Sequence, residues 1–215
     1  MAVGAVGVAV LGCTGSIGRS ALAVIERHRD RFRVVALAAH RNAADLAELV
    51  DRHDPAVAVL ADDDAARSHD GRIFGSGRDA VLEAATHPDA SIVINAVVGA
   101  AGLEATLAAL DAGKRLALAN KESLVAGGPL VLEALRRGRG ELVPIDSEHS
   151  AILQCLTGAR ERTVRRLVLT ASGGPFLDWP AERLARATPA EALRHPTWSM
   201  GAKITIDSAS LANKA

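Results

Sequence analysis

Three short stretches carry residues whose types and spacing can do chemistry. The first is GCTGSIG, with glycines at positions 12, 15 and 18. A glycine turn of this kind, set between a strand and a helix, cradles a pyrophosphate. Gly12 permits the tight turn, Gly15 lets the backbone approach the phosphates, and Gly18 allows helix and strand to pack closely. The free N–H groups of the helix start then point at the anion. The spacing varies from the usual dinucleotide fingerprint, and an empty tight turn is the bland alternative. The strand–turn–helix context favours the cofactor. The second stretch is PIDSEHSAI, residues 144–152, where Asp146 and Glu148 stand one residue apart at the end of an apolar run. Adjacent like charges repel unless something neutralises them. A hard divalent cation, Mg²⁺ or Mn²⁺, does so by taking carboxylate oxygens as ligands. A helix cap by Asp146 or Ser147 is the structural alternative, and His149 reads as helix surface. The third is a set of polar groups around Gly173–Gly174, namely Ser172, Ser208, Asn213 and Lys214. Hydroxyls, an ammonium and exposed backbone N–H groups suit a phosphate. His195 and Trp198 lie in a Pro- and Gly-bounded loop that suits a lid over a substrate. Alone, Trp198 reads as core packing.

The end of the second strand bears on which dinucleotide is held. NAD-binding folds place an acid there to bond the ribose hydroxyls. Here the strand ends ALAAHRN, residues 36–42, with no acid and with Arg41 instead. An arginine at that place suits the extra phosphate of NADP, the bland reading being an exposed surface arginine.

These stretches need a scaffold, and the hydrophobic pattern supplies one. Short apolar runs at 6–12, 33–39, 56–60, 91–98, 115–119 and 141–145 alternate with amphipathic or Ala-rich segments at 16–28, 42–53, 77–86, 101–112 and 122–138. Strand and helix in alternation predict an α/β fold, a Rossmann-like doubly wound parallel sheet. The strands lack polar alternation because both sheet faces are covered. After residue 145 the rhythm changes. The stretch 163–176 predicts one more strand and a Gly-rich loop, and 178–194 predicts short helices between prolines. The division is therefore expected near Pro144–Ser147, giving a dinucleotide domain over 1–145 and an incomplete α/β catalytic domain over 146–215.

Composition narrows the class. The chain has 215 residues, 49% hydrophobic, with 25 basic and 25 acidic side chains and a formal net charge of zero. No basic field is available for nucleic acid or an anionic membrane, so any phosphate must be held by local groups. Cys13 and Cys155 form no disulfide framework or metal spacing and suit a reducing cytoplasm. The apolar N-terminus runs straight into the glycine turn and reads as a buried strand, not a leader or membrane span.

The motifs GCTGSIG, NAVVGAAGL, LANKESLV, PIDSEHSAI, LTASGGPF and HPTWSMGAKITIDSASLANKA occur in this order along nearly the whole chain. Together they resemble the 1-deoxy-D-xylulose 5-phosphate reductoisomerase family. The resemblance implies an NADPH-dependent oxidoreductase of isoprenoid biosynthesis, cytoplasmic and homodimeric, using Mg²⁺, Mn²⁺ or Co²⁺. It converts 1-deoxy-D-xylulose 5-phosphate to 2-C-methyl-D-erythritol 4-phosphate by retro-aldol cleavage and re-addition, followed by hydride transfer. By motif matching, Thr14, Gly15, Ser16, Ile17, Arg41, Asn42, Asn120 and Glu122 bind NADPH. Asp146 and Glu148 bind the metal, and Lys121 and Glu148 handle protons. Lys121, Ser147 and Glu148 contact the reacting part of the sugar. Ser172, His195, Ser208, Asn213 and Lys214 hold the substrate, mostly at its phosphate.

The chain departs from the family pattern in three places. Cys13 stands where serine is common. His40 and Arg41 stand where glycine and lysine are frequent. The family's third metal-binding carboxylate, in NK-x-x-E, would fall two residues past Ala215, with the rest of the catalytic domain and a helical domain beyond it. The resemblance therefore implies that this polypeptide binds NADPH, holds metal weakly and is inactive. Two other readings compete: a different NADPH enzyme of the same sheet class, such as a semialdehyde or homoserine dehydrogenase, which needs a catalytic cysteine or another lysine context, and an inactive NADPH-binding module.

Overall fold

The computed structural model describes residues 4–68, 75–158, 163–198 and 201–212. The chain forms two compact units, divided between Asp146 and Ser147.

The first unit is a sheet of seven parallel strands with the order β4-β3-β2-β1-β5-β6-β7. The strands are β1 (Val6–Leu11), β2 (Phe32–Ala39), β3 (Val57–Leu60), β4 (Gly75–Ser76), β5 (Ile92–Asn95), β6 (Arg115–Leu118) and β7 (Glu141–Pro144). The helices between them are α1 (Ser16–Arg27), α2 (Ala43–His53), α3 (Asp63–Arg67), α4 (Gly77–Thr86), α5 (Leu103–Asp111) and α6 (Glu122–Arg137). The chain works outward from β1 to one edge, then returns to β5 beside β1 and works outward to the other. Ligands of such sheets bind where that reversal leaves a crevice, at the carboxyl ends of the central strands.

Period-two alternation along each strand explains the two cores. Val8 and Val10 of β1 face the layer containing Leu22, Ile25, Leu46 and Val50 from α1 and α2. Ala9 and Leu11 face the opposite layer, with Ala84, Ala109, Leu110 and Val131 from α4, α5 and α6. Side chains on both faces are buried, which is why these strands read as unbroken apolar runs. The strand β4, two residues long, and the five-residue α3 have no periodicity to find, and the sequence reading lacks both.

One contact between the first two helices gives a pH dependence. The His53 side chain is 4% exposed, with Nε2 3.4 Å from a Glu26 carboxylate oxygen. Burial holds its pKa below the ordinary 6.5, although Glu26 pulls the other way. The unfolded chain therefore binds this proton more readily than the folded one. The contribution of this group to stability is fully present above pH 6.5 and is lost as pH drops from there through the lower folded value. Urea unfolding at pH 7.5 and 5.5 should show that loss in the wild type and a smaller one in His53→Leu.

The second unit contains α7 (Ser147–Leu156), the short helices α8 (Ala181–Leu184) and α9 (Pro189–Ala192), and α10 (Ala202–Ser210). The strand expected within 163–176 is absent among the described residues, where 164–173 has no regular structure. Its apolar side chains Leu167, Val168 and Leu169 are all exposed. A strand also needs a hydrogen-bonded neighbour, and no described strand pairs with this segment.

Candidate functional site

The crevice predicted by the strand order is present. A cleft of about 600 Å³ is lined by Gly12, Thr14 and Gly15 after β1, His40 after β2, Ala61 after β3, and Ala96–Val98 after β5. Arg78 and Glu104 close another side of it.

The glycine turn is built for this place. Gly12 has φ +79°, and a Cβ there would lie 2.5 Å from the Ala96 carbonyl. A Cβ on Gly18 would lie 2.3 Å from the Gly12 carbonyl, so helix and turn touch backbone to backbone. At Gly15 an added Cβ meets only the Gly12 carbonyl, at 3.3 Å. Helix α1 starts with no side-chain cap and no acid in its first turn. Its leading N–H groups and the positive end of its dipole therefore suit an anion. Arg19 steadies the turn, its Nε donating to the Thr14 carbonyl at 3.1 Å while its guanidinium pairs with Asp45 on α2.

Cys13 lies within this turn but is buried, and desolvation pushes its thiol up to about 12. A thiol that stays protonated is no nucleophile, so Cys13 does not serve as a catalytic cysteine.

At the end of β2, Arg41 is exposed, and it is not alone. Its Nε donates to Asp62 Oδ2 at 2.7 Å. The acid missing from the end of β2 is thus supplied by the next strand. Asn42 caps α2, its side-chain oxygen accepting from the Asp45 N–H at 3.2 Å.

Asn120 is buried and bonded at both ends. Its amide nitrogen donates to the carbonyls of Val97 and of Gly99, the latter at 2.7 Å, and its oxygen accepts from the Ser123 N–H at 2.8 Å. Asn95 adds bonds to the Gly102 carbonyl and to Thr106 Oγ1 at 2.8 and 2.9 Å. This network braces the 96–102 loop, which lines the cleft, against the start of α6. Asn120 thus shapes the cleft through the loop it holds, and Glu122 opens α6.

Next to Asn120, the Lys121 ammonium meets Asp146 Oδ2 at 2.6 Å, with the two side chains 20% and 17% exposed. Both stand at the carboxyl end of the sheet, Lys121 after β6 and Asp146 after β7. The resemblance gave both residues roles without suggesting that they touch. Ser147 and Glu148 lie in the first turn of α7, in the second unit. Among the described residues no three His, Cys, Asp or Glu side chains are grouped so as to hold a metal ion.

The second unit brings three more of the predicted residues together. Ser172 Oγ lies 3.2 Å from His195 Nε2 and 3.5 Å from Ser208 Oγ. His195 Nδ1 accepts the N–H groups of Thr197 and Trp198 at 3.1 and 3.0 Å. The neutral ring must therefore carry its proton on Nε2 and donate to Ser172. Gly173 and Gly174 make the approach possible, both at positive φ, and a Cβ on Gly174 would lie 2.7 Å from the Ser208 carbonyl on α10. Trp198 is 62% exposed, so core packing does not account for it. Asn213 and Lys214 lie outside the described residues.

A parallel sheet with glycine turn, uncapped helix and crevice at the strand reversal defines a dinucleotide-binding protein of the Rossmann type. The chain belongs to the 1-deoxy-D-xylulose 5-phosphate reductoisomerase family: that family's model matches residues 8–128, and the model of its C-terminal domain matches residues 142–215. The reductoisomerase of Symbiobacterium thermophilum is 52% identical over 97% of this chain, and that of Mycolicibacterium smegmatis is 53% identical over 96%. The chain spans about half of those relatives, 56% and 52% of their lengths. Among solved structures, a DOX-P reductoisomerase in complex with NADPH, fosmidomycin and magnesium matches with TM-score 0.88 at 41% identity, covering 97% of this chain and 55% of that one. The Zymomonas mobilis enzyme in complex with NADPH matches with TM-score 0.84 at 44% identity, covering 98% of this chain and 55% of that one.

Proposed function

We propose that this chain contributes the NADPH-binding domain, residues 1–145, and part of the catalytic domain, residues 146–215, of an enzyme converting 1-deoxy-D-xylulose 5-phosphate to 2-C-methyl-D-erythritol 4-phosphate. The observation that carries the reading is the juxtaposition of Lys121 and Asp146 at the same carboxyl sheet edge as the glycine-lined cleft. A pyrophosphate over α1 and a metal-binding acid after β7 need that common edge. Thr14, Gly15, Ser16 and Ile17 hold the pyrophosphate through the turn and helix start. Arg41 and Asn42 meet the adenosine end, and Asn120 and Glu122 shape the nicotinamide end.

Asp146 and Glu148 would hold the divalent metal, as hard carboxylates suit Mg²⁺ or Mn²⁺. Such a metal would supply Lewis-acid chemistry to the sugar oxygens. Lys121 orients Asp146, and Lys121 and Glu148 are placed by motif to move protons on the sugar. Ser147 contacts the reacting carbons. Ser172, His195 and Ser208 offer hydroxyl and Nε2–H groups to the substrate phosphate, with Asn213 and Lys214 completing that set. Cytoplasmic location and a homodimer belong to the same proposal. No helix among the described residues is long and apolar enough to cross a membrane.

Calorimetric titration tests the cofactor. NADPH is expected to bind in preference to NADH. Arg41→Ala should weaken NADPH by about one to two decades, the loss of a charge-assisted contact, and leave NADH nearly unchanged. Equal loss for both cofactors would show that Arg41 does not read the 2′-phosphate.

A further inference from the structure

We propose that Asp62 is a positioning residue for the phosphate end of the cofactor, gripping Arg41 by one edge of its guanidinium so that the other edge meets the 2′-phosphate. The proposal rests on the NADPH reading above and adds a residue to that site. The sheet places Asp62 there. Backbone hydrogen bonds tie the ends of β2 and β3 together, the Ala61 N–H bonding the Ala39 carbonyl at 2.9 Å and the Asp62 N–H bonding the His40 carbonyl at 3.1 Å. The backbone of Asp62 is thereby held level with His40 and Arg41. Ala61 and His40 both line the cleft, so the pair that follows them stands at its rim.

The two partners are unequal. Asp62 is anchored twice, its Oδ1 accepting the Ala65 N–H at 2.9 Å and its Oδ2 accepting Arg41 Nε–H at 2.7 Å. Its side chain is 16% exposed, whereas that of Arg41 is 72% exposed. The aspartate is the rigid member, and the arginine is held by it. The same two hydrogen bonds keep the Asp62 carboxyl below the usual carboxylate range, so it stays ionised as an acceptor.

The contact uses Nε and leaves the Nη1/Nη2 edge, which has no partner among the described residues. A guanidinium presents its donors as a planar fork, and phosphate takes two of them at once. A long exposed side chain loses rotamer freedom when it binds, and an anchor at Nε removes part of that loss beforehand. A bare acid at this rim would instead repel a phosphate or bond a ribose hydroxyl. Each Asp62 oxygen is already engaged by one donor, which favours the orienting role over either of these.

Asp62→Asn separates the two bonds: the amide oxygen still accepts from Ala65, while the amide nitrogen cannot accept from Arg41. Wild type, Asp62→Asn, Arg41→Ala and the double variant would be titrated with NADPH, NADH, 2′,5′-ADP and 5′-AMP, with thermal unfolding in parallel. Asp62→Asn is expected to raise Kd for NADPH and 2′,5′-ADP about three- to tenfold and to leave NADH and 5′-AMP within about twofold. The unfolding midpoint should not move, and Asp62→Asn should add nothing to Arg41→Ala. Unchanged or tighter NADPH binding would overturn the proposal, because the acid would then only oppose the phosphate. A selective loss of NADH would overturn it in favour of a ribose contact, and equal losses with a lower midpoint would leave only a structural role. A wild-type chain that binds none of the four nucleotides would overturn the cofactor reading itself, and this inference with it.

Discussion

Gly18→Ala is expected to abolish measurable NADPH binding and to lower the stability of the chain by about 3 kcal/mol, the upper range for forcing extra volume into a packed site. The new methyl would sit 2.3 Å from the Gly12 carbonyl and 2.7 Å from Cys13 Cα, both backbone atoms. Neither can swing aside as a flexible side chain could. Relief requires α1 to move off β1, carrying the helix start away from the cleft. The same movement strains Gly12, whose positive φ is set against the 96–97 backbone. Urea unfolding and NADPH titration read the two effects separately. A variant of near wild-type stability that binds NADPH normally would show that α1 need not touch the turn. Gly15→Ala is the control: it meets only the Gly12 carbonyl, at 3.3 Å, so its cost in stability should be smaller.

The second large effect is expected at Asp146. On the proposed function, Asp146→Asn in a full-length form should cut turnover of 1-deoxy-D-xylulose 5-phosphate on the order of 10³-fold, the scale of losing one electrostatic element of a catalytic site. NADPH affinity should stay within about twofold, because Asp146 is remote in sequence from the glycine turn and lies after the outermost strand, β7. The amide keeps the shape and the acceptor oxygen but loses the charge that a divalent cation requires. It also leaves the ammonium of Lys121, 2.6 Å away and only 20% exposed, without a counter-charge at that contact. Steady-state kinetics across a Mg²⁺ or Mn²⁺ titration would show whether the loss can be recovered by more metal. Normal turnover at ordinary metal concentrations would reduce Asp146 to an anchor for Lys121 and the start of α7.

The sequence by itself determined the sheet and the turn. Unbroken apolar runs force strands buried on both faces, and glycines at 12, 15 and 18 between such a run and an amphipathic segment leave few conformations for the chain to take. Two like charges one residue apart near a strand end ask for a counter-charge, and the fold gives Asp146 one that the sequence did not suggest, Lys121. Tertiary structure alone decided which distant groups meet. Asp62 was missed because an acid was sought only at the end of β2, whereas parallel pairing lays the ends of β2 and β3 side by side. Reading all strand ends at one level would have found it. Arg78 and Glu104 were missed because a helix-surface ion pair has no local pattern. Their bidentate contact exists only because α4 and α5 pack against the same sheet face. Asn120 was read as a cofactor contact from its motif, yet its bonds to Val97 and Gly99 depend on β5 and β6 being neighbours. The expected strand after residue 163 failed for the converse reason. An apolar run states that a segment can pair, but a strand exists only where another strand offers its hydrogen bonds, and that offer is a property of the fold.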